Sequence, residues 1–214
     1  MFHVKHSVEY HDVPKDFFQS TTRLLESYKD KISNYADQLL WWNKRLNLVS
    51  RHVSRETLNQ HIFHSLLISQ IPAFKKAAHI IDAGTGGGLP GIPLAITHPQ
   101  KAFLLNDIVS KKIRAARDIS RKLNISNIST QTSSIGEFEF TEGSLLVTKH
   151  AFKIIDLWAM VHNGHWDGIL MLKGLPLEEE LPTPLPFSLQ VYKLDTANQT
   201  PFYKGKAIVF LQKQ

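Results

Sequence analysis

Apolar residues recur along this chain with two periods, one typical of helices and the other of buried strands. Residues 1–30 show little pattern, and we expect a loose arm there, followed by one helix at about residues 17–28. A clear helical stripe covers residues 32–40, and a second stripe begins after Ser54, a residue type that caps helices well. Pro72 ends the second stripe, so the first third of the chain is predicted to be largely helical.

Short apolar runs predict strands in the remainder of the chain, with helical patterns between them. The first run, at residues 80–83, leads into a glycine-rich loop, and the second ends at Asn106 and Asp107. We also expect a helix capped by Ser110 and a surface connection at residues 176–186. Further strands are predicted at residues 128–132, 144–148, 168–173, 187–194 and 206–211, of which the last two pair as a hairpin.

The glycine-rich loop is the most informative stretch of the chain. Five glycines between positions 84 and 91 allow positive φ angles and let a ligand approach the bare main chain. Pro90 and Pro93 suit the first turn of a helix, whose N-terminus offers free N–H groups and partial positive charge. An ordinary turn would gain nothing from so many glycines, so we predict a ligand-binding loop.

Two classes of ligand fit this loop. Residues 86–91 match the G-x-G-x-x-G pattern of dinucleotide-binding proteins, although glycine-rich loops often match it by chance. Asp82 beside the loop would repel a pyrophosphate, whereas it suits the ammonium and sulfonium groups of S-adenosylmethionine (SAM). Asp107 lies where an acid on the second strand meets ribose hydroxyls, which NAD and SAM share. These residues favour SAM over a nicotinamide cofactor.

Composition narrows the class of protein further. The 214 residues, 43% apolar and 21% charged, suffice for one good core, as in a soluble globular protein. We expect a cytoplasmic protein without membrane association, because no segment is apolar over a spanning length and no secretory segment opens the chain. The absence of cysteine excludes disulfides and thiolate metal sites. A formal charge of +6 and a pI near 9.4 favour a polyanionic partner.

The loop sequence, from Asp82 through its Leu-Pro-Gly-Ile-Pro extension to Leu94, resembles the SAM-binding signature of the ribosomal RNA small subunit methyltransferase G family. The resemblance covers nearly the whole chain. Residues 42–49 resemble the family's Trp-Asn-Lys…Asn-Leu-Thr segment, with Val49 in place of threonine. Residues 61–66 resemble its His-x-x-Asp-Ser-Leu, with His64 in place of aspartate, and Lys173 with the next glycine matches its Leu-Lys-Gly.

The resemblance implies a Rossmann-like class I SAM methyltransferase of the α/β class. Residues 75–214 would form a seven-stranded mixed sheet with helices on both faces, and residues 1–74 an N-terminal helical cap, in one compact unit. The implied reaction transfers a methyl group to N7 of a guanine in 16S ribosomal RNA, as naked RNA or in the small-subunit ribonucleoprotein. The expected protein is a monomer, and no metal site is predicted.

The resemblance also assigns the cofactor residues, two of which lie in a segment that grips adenine through main-chain groups. In that segment Ser134 replaces the family's arginine and Gly136 its first glutamate, so only the main-chain contacts are expected to remain. The residues predicted to contact SAM are Asp82, Gly84, Gly86, Leu89, Asp107, Ile135, Gly136 and His150.

The largest departure from the family follows the strand at residues 144–148. The family's Ser-Arg-Ala-Phe/Val aligns with residues 149–152, which places Lys149 on the serine and His150 on the arginine. Guanine N7 carries a lone pair and no proton, so methyl transfer needs alignment and exclusion of water rather than a base. We therefore predict that His150, or Lys149 in its place, is the catalytic group that binds the guanine or a phosphate.

Exposed cations are the predicted RNA contacts, with Trp41 and Trp42 as candidates for stacking on bases. A core-packing role for Trp42 and a merely solvated role for the cations remain open. So do a SAM methyltransferase for another substrate and, because of Ser134 and His150, an RNA-binding relic without turnover. The predicted RNA-binding residues are Lys44, Arg45, Arg51, Lys111, Lys112 and Arg114.

Overall fold

Eight strands form one sheet in the computed structural model, which describes residues 8–213. The strand order is β1-β7-β8-β6-β5-β2-β3-β4, and neighbouring strands are parallel except where β8 pairs with β6 and β7. The strands are β1 (Val8–Asp12), β2 (His79–Ala83), β3 (Ala102–Asp107), β4 (Ile128–Thr132), β5 (Ser144–Lys149), β6 (Gly168–Gly174), β7 (Ser188–Lys193) and β8 (Lys206–Gln212).

Helices pack on both faces of the sheet, as predicted for this α/β class. Short 3-10 turns add to them at residues 67–70, 135–137, 178–180 and 201–203. The α-helices are α1 (Asp16–Ser27), α2 (Lys29–Asn43), α3 (Arg55–Leu66), α4 (Pro72–Lys76), α5 (Gly91–Thr97), α6 (Ser110–Lys122) and α7 (Ile154–Val161).

The sheet has eight strands instead of the predicted seven, because β1 lies within the segment that we expected to be a loose arm. It pairs in parallel with β7, so that Val8 lies opposite Leu189. Its sequence is too polar to stand out as a strand, and it tolerates this polarity because an edge strand is covered on one side only. Residues 1–7 of the predicted arm lie outside the described part of the chain. The expected boundary at residues 74 and 75 falls inside α4.

Local capping signals are confirmed at one helix and wrong at another. Ser54 caps α3, because its side chain accepts a hydrogen bond from the Thr57 N–H at 3.0 Å. At α6 the N-cap residue is Val109 instead of Ser110. Its N–H donates to Asp107 Oδ1 at 2.9 Å, so the acid at the end of β3 organises this helix start from outside the helix.

The core consists of three apolar clusters. One packs α1 and the end of α3 against one face of the sheet, a second packs α7 against the other face, and a third joins α2, α3, α5 and α6. The central strands β5 and β6 are covered on both faces and are therefore apolar almost throughout. The carboxyl ends of β2, β3, β5 and β6 meet at one edge of the sheet, where open α/β sheets bind their ligands.

Candidate functional site

The glycine-rich loop connects β2 to α5 at this edge of the sheet. Gly84, Gly86 and Gly88 have φ angles of +70°, +56° and +96°, which confirms the predicted need for glycine. A Cβ on Gly84 would lie 2.6 Å from the Ala151 Cβ and 3.0 Å from the Phe152 ring. Gly84 therefore lets the loop contact the segment after β5 directly, whereas we expected the space to admit a ligand.

Asp82 lies beneath the loop and is completely buried. Its Oδ2 accepts hydrogen bonds from the Thr85 hydroxyl at 2.6 Å and from the Gly91 N–H at 2.8 Å. Its Oδ1 has no hydrogen-bond partner among the described residues. Burial raises the pKa of Asp82 to about 7, although both hydrogen bonds act in the opposite direction. The carboxylate thus holds the loop against the start of α5, instead of facing a ligand openly as we expected.

Asp107 lies at the end of β3, beside the loop, where the sequence predicted an acid. Its Oδ2 accepts a hydrogen bond from the Gly86 N–H at 3.0 Å and lies 3.9 Å from Lys112 Nζ. A carboxylate offers about four lone-pair sites, so this group still has the capacity to accept ribose hydroxyls. The next residue, Ile108, is 73% exposed and Val109 is 39% exposed. We overlooked this apolar surface, which two β-branched residues after a strand-end acid could have indicated.

The segment predicted to grip adenine lies next to Asp107. Asn106 Nδ2 donates to the Ser133 carbonyl oxygen at 3.1 Å and thereby ties this segment to β3. The Ile135 side chain is buried in the core while Gly136 is exposed, so mainly main-chain groups of this turn face outwards. A Cβ on Gly136 would lie 3.3 Å from the Met160 carbonyl oxygen, and the Met160 side chain adds exposed apolar surface.

Leu89, the remaining cofactor residue of the loop, is buried. Its side chain belongs to the cluster formed by α2, α3, α5 and α6. The N-terminal helices also hold the loop, because the buried Tyr35 hydroxyl donates to the Gly87 carbonyl oxygen at 3.1 Å. A Cβ on Gly87 would lie 2.5 Å from the Leu39 side chain. The helical segment therefore forms one wall of the loop.

Lys149 is the last residue of β5, and His150 follows it. Both lie on the other side of the glycine loop from Asp107. Lys149 Nζ lies 3.1 Å from Nδ1 of the fully buried His64, so two residues that depart from the family pattern contact each other. Burial, and then the charge of Lys206, lowers the pKa of Lys149 to about 7. His150 has a φ of +53° and is exposed, and its ring centroid lies 6.2 Å from that of His64.

An ion pair between the buried Lys173 and the half-buried Glu180 holds the segment after His150 in place. Lys173, at the end of β6, pairs with Glu180 and donates to the Phe152 carbonyl oxygen at 2.9 Å. Glu180 Oε2 also accepts a hydrogen bond from the Ile154 N–H at 3.0 Å, at the start of α7. The predicted surface connection therefore contributes a positioning residue, which sequence reasoning overlooked because Glu180 lies within a run of three glutamates.

The predicted RNA-binding cations lie on two neighbouring elements. Lys44, Arg45 and Arg51 are exposed at the end of α2 and in the loop after it. Lys111 and Arg114 are exposed on α6, where Lys112 is half-buried beside Asp107. The fold brings α2 and α6 side by side, since the Trp42 indole N–H donates to Asp118 on α6 at 3.0 Å. The two groups of cations thus belong to one basic surface.

The two tryptophans of α2 have different roles. Trp42 is half-buried and hydrogen-bonded, which agrees with the packing interpretation. Trp41 is 42% exposed, but the Arg45 guanidinium lies 3.6 Å from its ring centroid and Lys122 Nζ lies 4.8 Å away. The Trp41 ring is therefore already in contact with two cationic side chains, Arg45 and Lys122.

Three further observations concern membranes, metals and cavities. Between Val8 and Lys213 no helix is long and apolar enough to cross a membrane. Within the same span, no three histidine, cysteine or carboxylate side chains converge as metal ligands. A cavity of about 700 Å³ opens near His79 and Asp167, at the starts of β2 and β6. It lies at the opposite end of the sheet from the glycine loop, so its volume does not locate the site.

The comparisons with known proteins agree with this geometry. A family model described as rRNA small subunit methyltransferase G matches residues 28–200. The chain is 35% identical over 199 residues to the ribosomal RNA small subunit methyltransferase G of Chlorobium limicola, which covers 89% of this chain and 90% of that protein. It is 36% identical over 188 residues to the protein of the same name from Chlorobaculum tepidum, with coverages of 82% and 85%.

Two solved structures share the fold at low sequence identity. A methyltransferase from Geobacter sulfurreducens has a TM-score of 0.55 at 11% identity, covering 84% of this chain and 88% of that chain. An O-methyltransferase from Bacillus cereus, solved in complex with SAH, has a TM-score of 0.54 at 17% identity, with coverages of 84% and 90%. These likenesses confirm the predicted Rossmann-like methyltransferase fold.

Proposed function

Because this chain belongs to the rRNA small subunit methyltransferase G family, we propose that it transfers the methyl group of SAM to N7 of a guanine in 16S ribosomal RNA. Family membership makes it a SAM-dependent rRNA methyltransferase. It does not favour the alternatives of another substrate, a relic without turnover or a nicotinamide enzyme. The choice of N7 and of the 16S molecule rests on the sequence resemblance.

The residues at the ends of β2 and β3 fit SAM. The Asp107 carboxylate, held by the Gly86 N–H, has lone pairs left for the ribose hydroxyls. The exposed Ile108 and Met160 offer apolar surface for adenine, whose edge would meet the main chain of residues 135 and 136. Asp82 and Gly84 hold the loop through their contacts inside the fold. Gly86 and Leu89 fix the loop conformation, through a hydrogen bond to Asp107 and through core packing respectively. When bound, SAM supplies both the methyl group and its own leaving group.

The chemistry asks little of the protein beyond placement. Guanine N7 is a lone-pair nucleophile without a proton, so the chain must align it with the methyl carbon and exclude water. His150 is exposed at the end of β5, and Gly84 brings this segment against the cofactor loop. We assign His150 to the guanine or its phosphate, with Lys149 as the competing assignment. The clamp of Lys173 and Glu180 keeps this segment in place.

The basic surface on α2 and α6 supports an RNA substrate. Its Lys112 lies 3.9 Å from Asp107 at the end of β3, and the charge of its cations suits a phosphate backbone. Arg45 on Trp41 offers a guanidinium plane on which a base can stack. We further propose that the protein is a monomer and acts in the cytoplasm. Its substrate is naked 16S RNA or the small-subunit particle.

The contact between Gly84 and the segment after β5 carries this proposal, because it joins the cofactor loop to the predicted substrate residues. The test is single-turnover methylation of 16S RNA and of small subunits that lack the modification, with saturating SAM. Mass spectrometry of the nucleosides should detect 7-methylguanine. We expect His150→Ala to slow transfer about ten- to hundredfold, the loss expected for one charge-assisted hydrogen bond, and to weaken SAM binding far less.

Two further variants separate the competing assignments. His150→Arg should retain or raise activity, because arginine restores a two-pronged donor. If Lys149 binds the substrate instead, Lys149→Ala is the damaging change and His150→Ala is nearly silent. Wild-type rates in all three variants would show that the end of β5 is not the substrate site. Failure to form 7-methylguanine in any RNA would overturn the proposed reaction.

A further inference from the structure

Five basic side chains from three elements meet beside the end of β5. His61 and His64 lie on α3, Lys149 is the last residue of β5 and is followed by His150, and Lys206 is the first residue of β8. We call these five residues the basic cluster. Phe202 joins the members on α3 and β8, since its ring centroid lies 3.8 Å from Lys206 Nζ, 5.3 Å from the His61 ring and 5.9 Å from the His64 ring. Among residues 8–213, no carboxylate forms an ion pair with Lys149 or Lys206.

Hydrogen bonding inside the cluster leaves a buried donor free. Below its pKa of about 7, Lys149 is an ammonium that can only donate, so His64 Nδ1 then accepts from Lys149 Nζ at 3.1 Å. The His64 ring then carries its proton on Nε2, which is buried and has no partner within the described residues. Buried polar groups are normally satisfied, so an unpaired N–H beside an ammonium without an anionic partner indicates a missing acceptor.

The neighbouring charged groups do not supply this acceptor. On β6, Lys173 is cationic and its partner Glu180 is already engaged by Lys173 and by the Ile154 N–H. The Tyr203 ring packs at the edge of His64, and burial raises the pKa of its hydroxyl, which therefore stays neutral. Lys206 lies over the Phe202 ring, 3.8 Å from its centroid. Lys206 also donates to the Phe202 carbonyl oxygen. Apart from Glu180, which Lys173 engages, the groups around the cluster are therefore apolar, neutral or cationic.

We propose that the basic cluster is an anion site that takes one backbone phosphate of the RNA, adjacent to the nucleotide that is methylated. This inference rests on the proposed function and deepens it. His150 is exposed and His61, Lys149 and Lys206 are half-buried, so a phosphate can approach these four side chains from solvent. Phosphate oxygens would accept from both the ammonium and the imidazole donors.

Proton uptake should accompany binding at this site. Burial and the like charges of the cluster lower the pKa values of Lys149, His61 and His64. Fewer of these groups are therefore protonated when no anion is bound. An anion among these groups reverses that repulsion and raises their pKa values. Affinity for the anion is therefore highest below the pKa of Lys149, about 7, and falls as the pH rises through it.

Sulfate is a suitable probe, because its charge stays constant over this pH range. Calorimetric titration of the full chain should give a sulfate affinity that drops about tenfold per pH unit above neutrality, if one proton is linked to binding. Lys149→Met should lower the affinity at least tenfold at low pH and abolish the pH dependence. Lys76→Met is the matched control, since it removes an exposed lysine at the opposite end of the sheet, and it should change neither.

Competition links this site to RNA. At equal ionic strength, sulfate should weaken RNA binding by the wild type more than chloride does, and Lys149→Met should lose that difference. Lys206→Met, at the half-buried rim, provides the same test if Lys149→Met does not fold. Sulfate that does not bind, or binds without competing with RNA, overturns the inference even if guanine is methylated. Sulfate binding without 7-methylguanine formation overturns the proposed reaction alone.

Discussion

The two sides of the candidate site satisfy their charges in opposite ways. On the cofactor side, Asp82 and Asp107 accept hydrogen bonds from N–H and O–H groups of the loop that they support. On the other side, Lys149 and His64 contact each other without an anionic partner among the described residues. A loop can supply many N–H donors to a carboxylate, whereas a cluster of cations can be neutralised only by an anion from elsewhere.

The difference indicates which half of the site is built in advance. The acidic side is held by bonds within the chain, so its geometry should be the same with and without cofactor. The basic side lacks an acceptor, and we expect RNA to complete it. Three predictions test this comparison on the cofactor side and on the basic surface.

The largest effect is expected from Gly84→Ala. The added Cβ would lie 2.6 Å from Ala151 in a backbone with a φ of +70°, so the loop and the segment after β5 must separate. We expect the affinity for SAM, measured by calorimetry, to fall at least about 100-fold, equivalent to about 2.7 kcal/mol.

Gly143→Ala provides the matched control for this change. Gly143 has a φ of +82°, but nothing lies within 4 Å of an added Cβ. The control therefore shares the backbone strain of about 1 kcal/mol and lacks the collision. It should lower stability slightly and leave SAM affinity intact. Equal affinities in the folded Gly84→Ala protein and the wild type would show that the contact with Ala151 is dispensable.

A more gradual effect, spread over several pH units, is expected from the titration of Asp82. Its folded pKa, about 7, lies above the ordinary value of 3.8, so the folded protein binds this proton more tightly than the unfolded chain. The contribution of Asp82 to stability is therefore greatest at low pH and declines as the pH rises from about 4 to about 7. Asp82→Asn removes this titration while keeping the shape of the side chain.

The free energies of unfolding of the Asn variant and the wild type should thus diverge with pH. Between pH 4.5 and 8, we expect the difference to shift in favour of the variant by about 3 kcal/mol. Urea denaturation at several pH values measures this shift, and other titrating groups cancel in the comparison. A difference that does not vary with pH would mean that Asp82 is ionised in both states throughout.

The smallest effect concerns the basic surface. With about five phosphate contacts, the logarithm of RNA affinity should fall with the logarithm of salt concentration with a slope of about −4. Arg45→Ala should make this slope shallower by about 1, because one phosphate contact is lost. Lys76→Ala, which removes an exposed lysine far from the surface, should leave it unchanged. Equal slopes in both variants would show that Arg45 makes no phosphate contact.

Local patterns in the sequence predicted seven of the eight strands, the glycine loop, the acid at the end of β3 and the exposed cations. These features are local, since periodicity, glycine content and proline position act within a few residues. The strands at residues 128–132 and 187–194 followed from such patterns, and so did the Ser54 cap. The family signature in the loop then indicated the reaction.

The contacts between residues far apart in the chain became known only from the tertiary structure. The pairing of β1 with β7, the contact of His64 with Lys149 and the hold of Glu180 on Ile154 join residues far apart in the chain. No local period marks such pairs, because they arise when the carboxyl ends of parallel strands gather at one edge of the sheet. Asp82 and Gly84, which were predicted to contact SAM, also lie against other parts of the fold, and their contact with SAM stays a prediction.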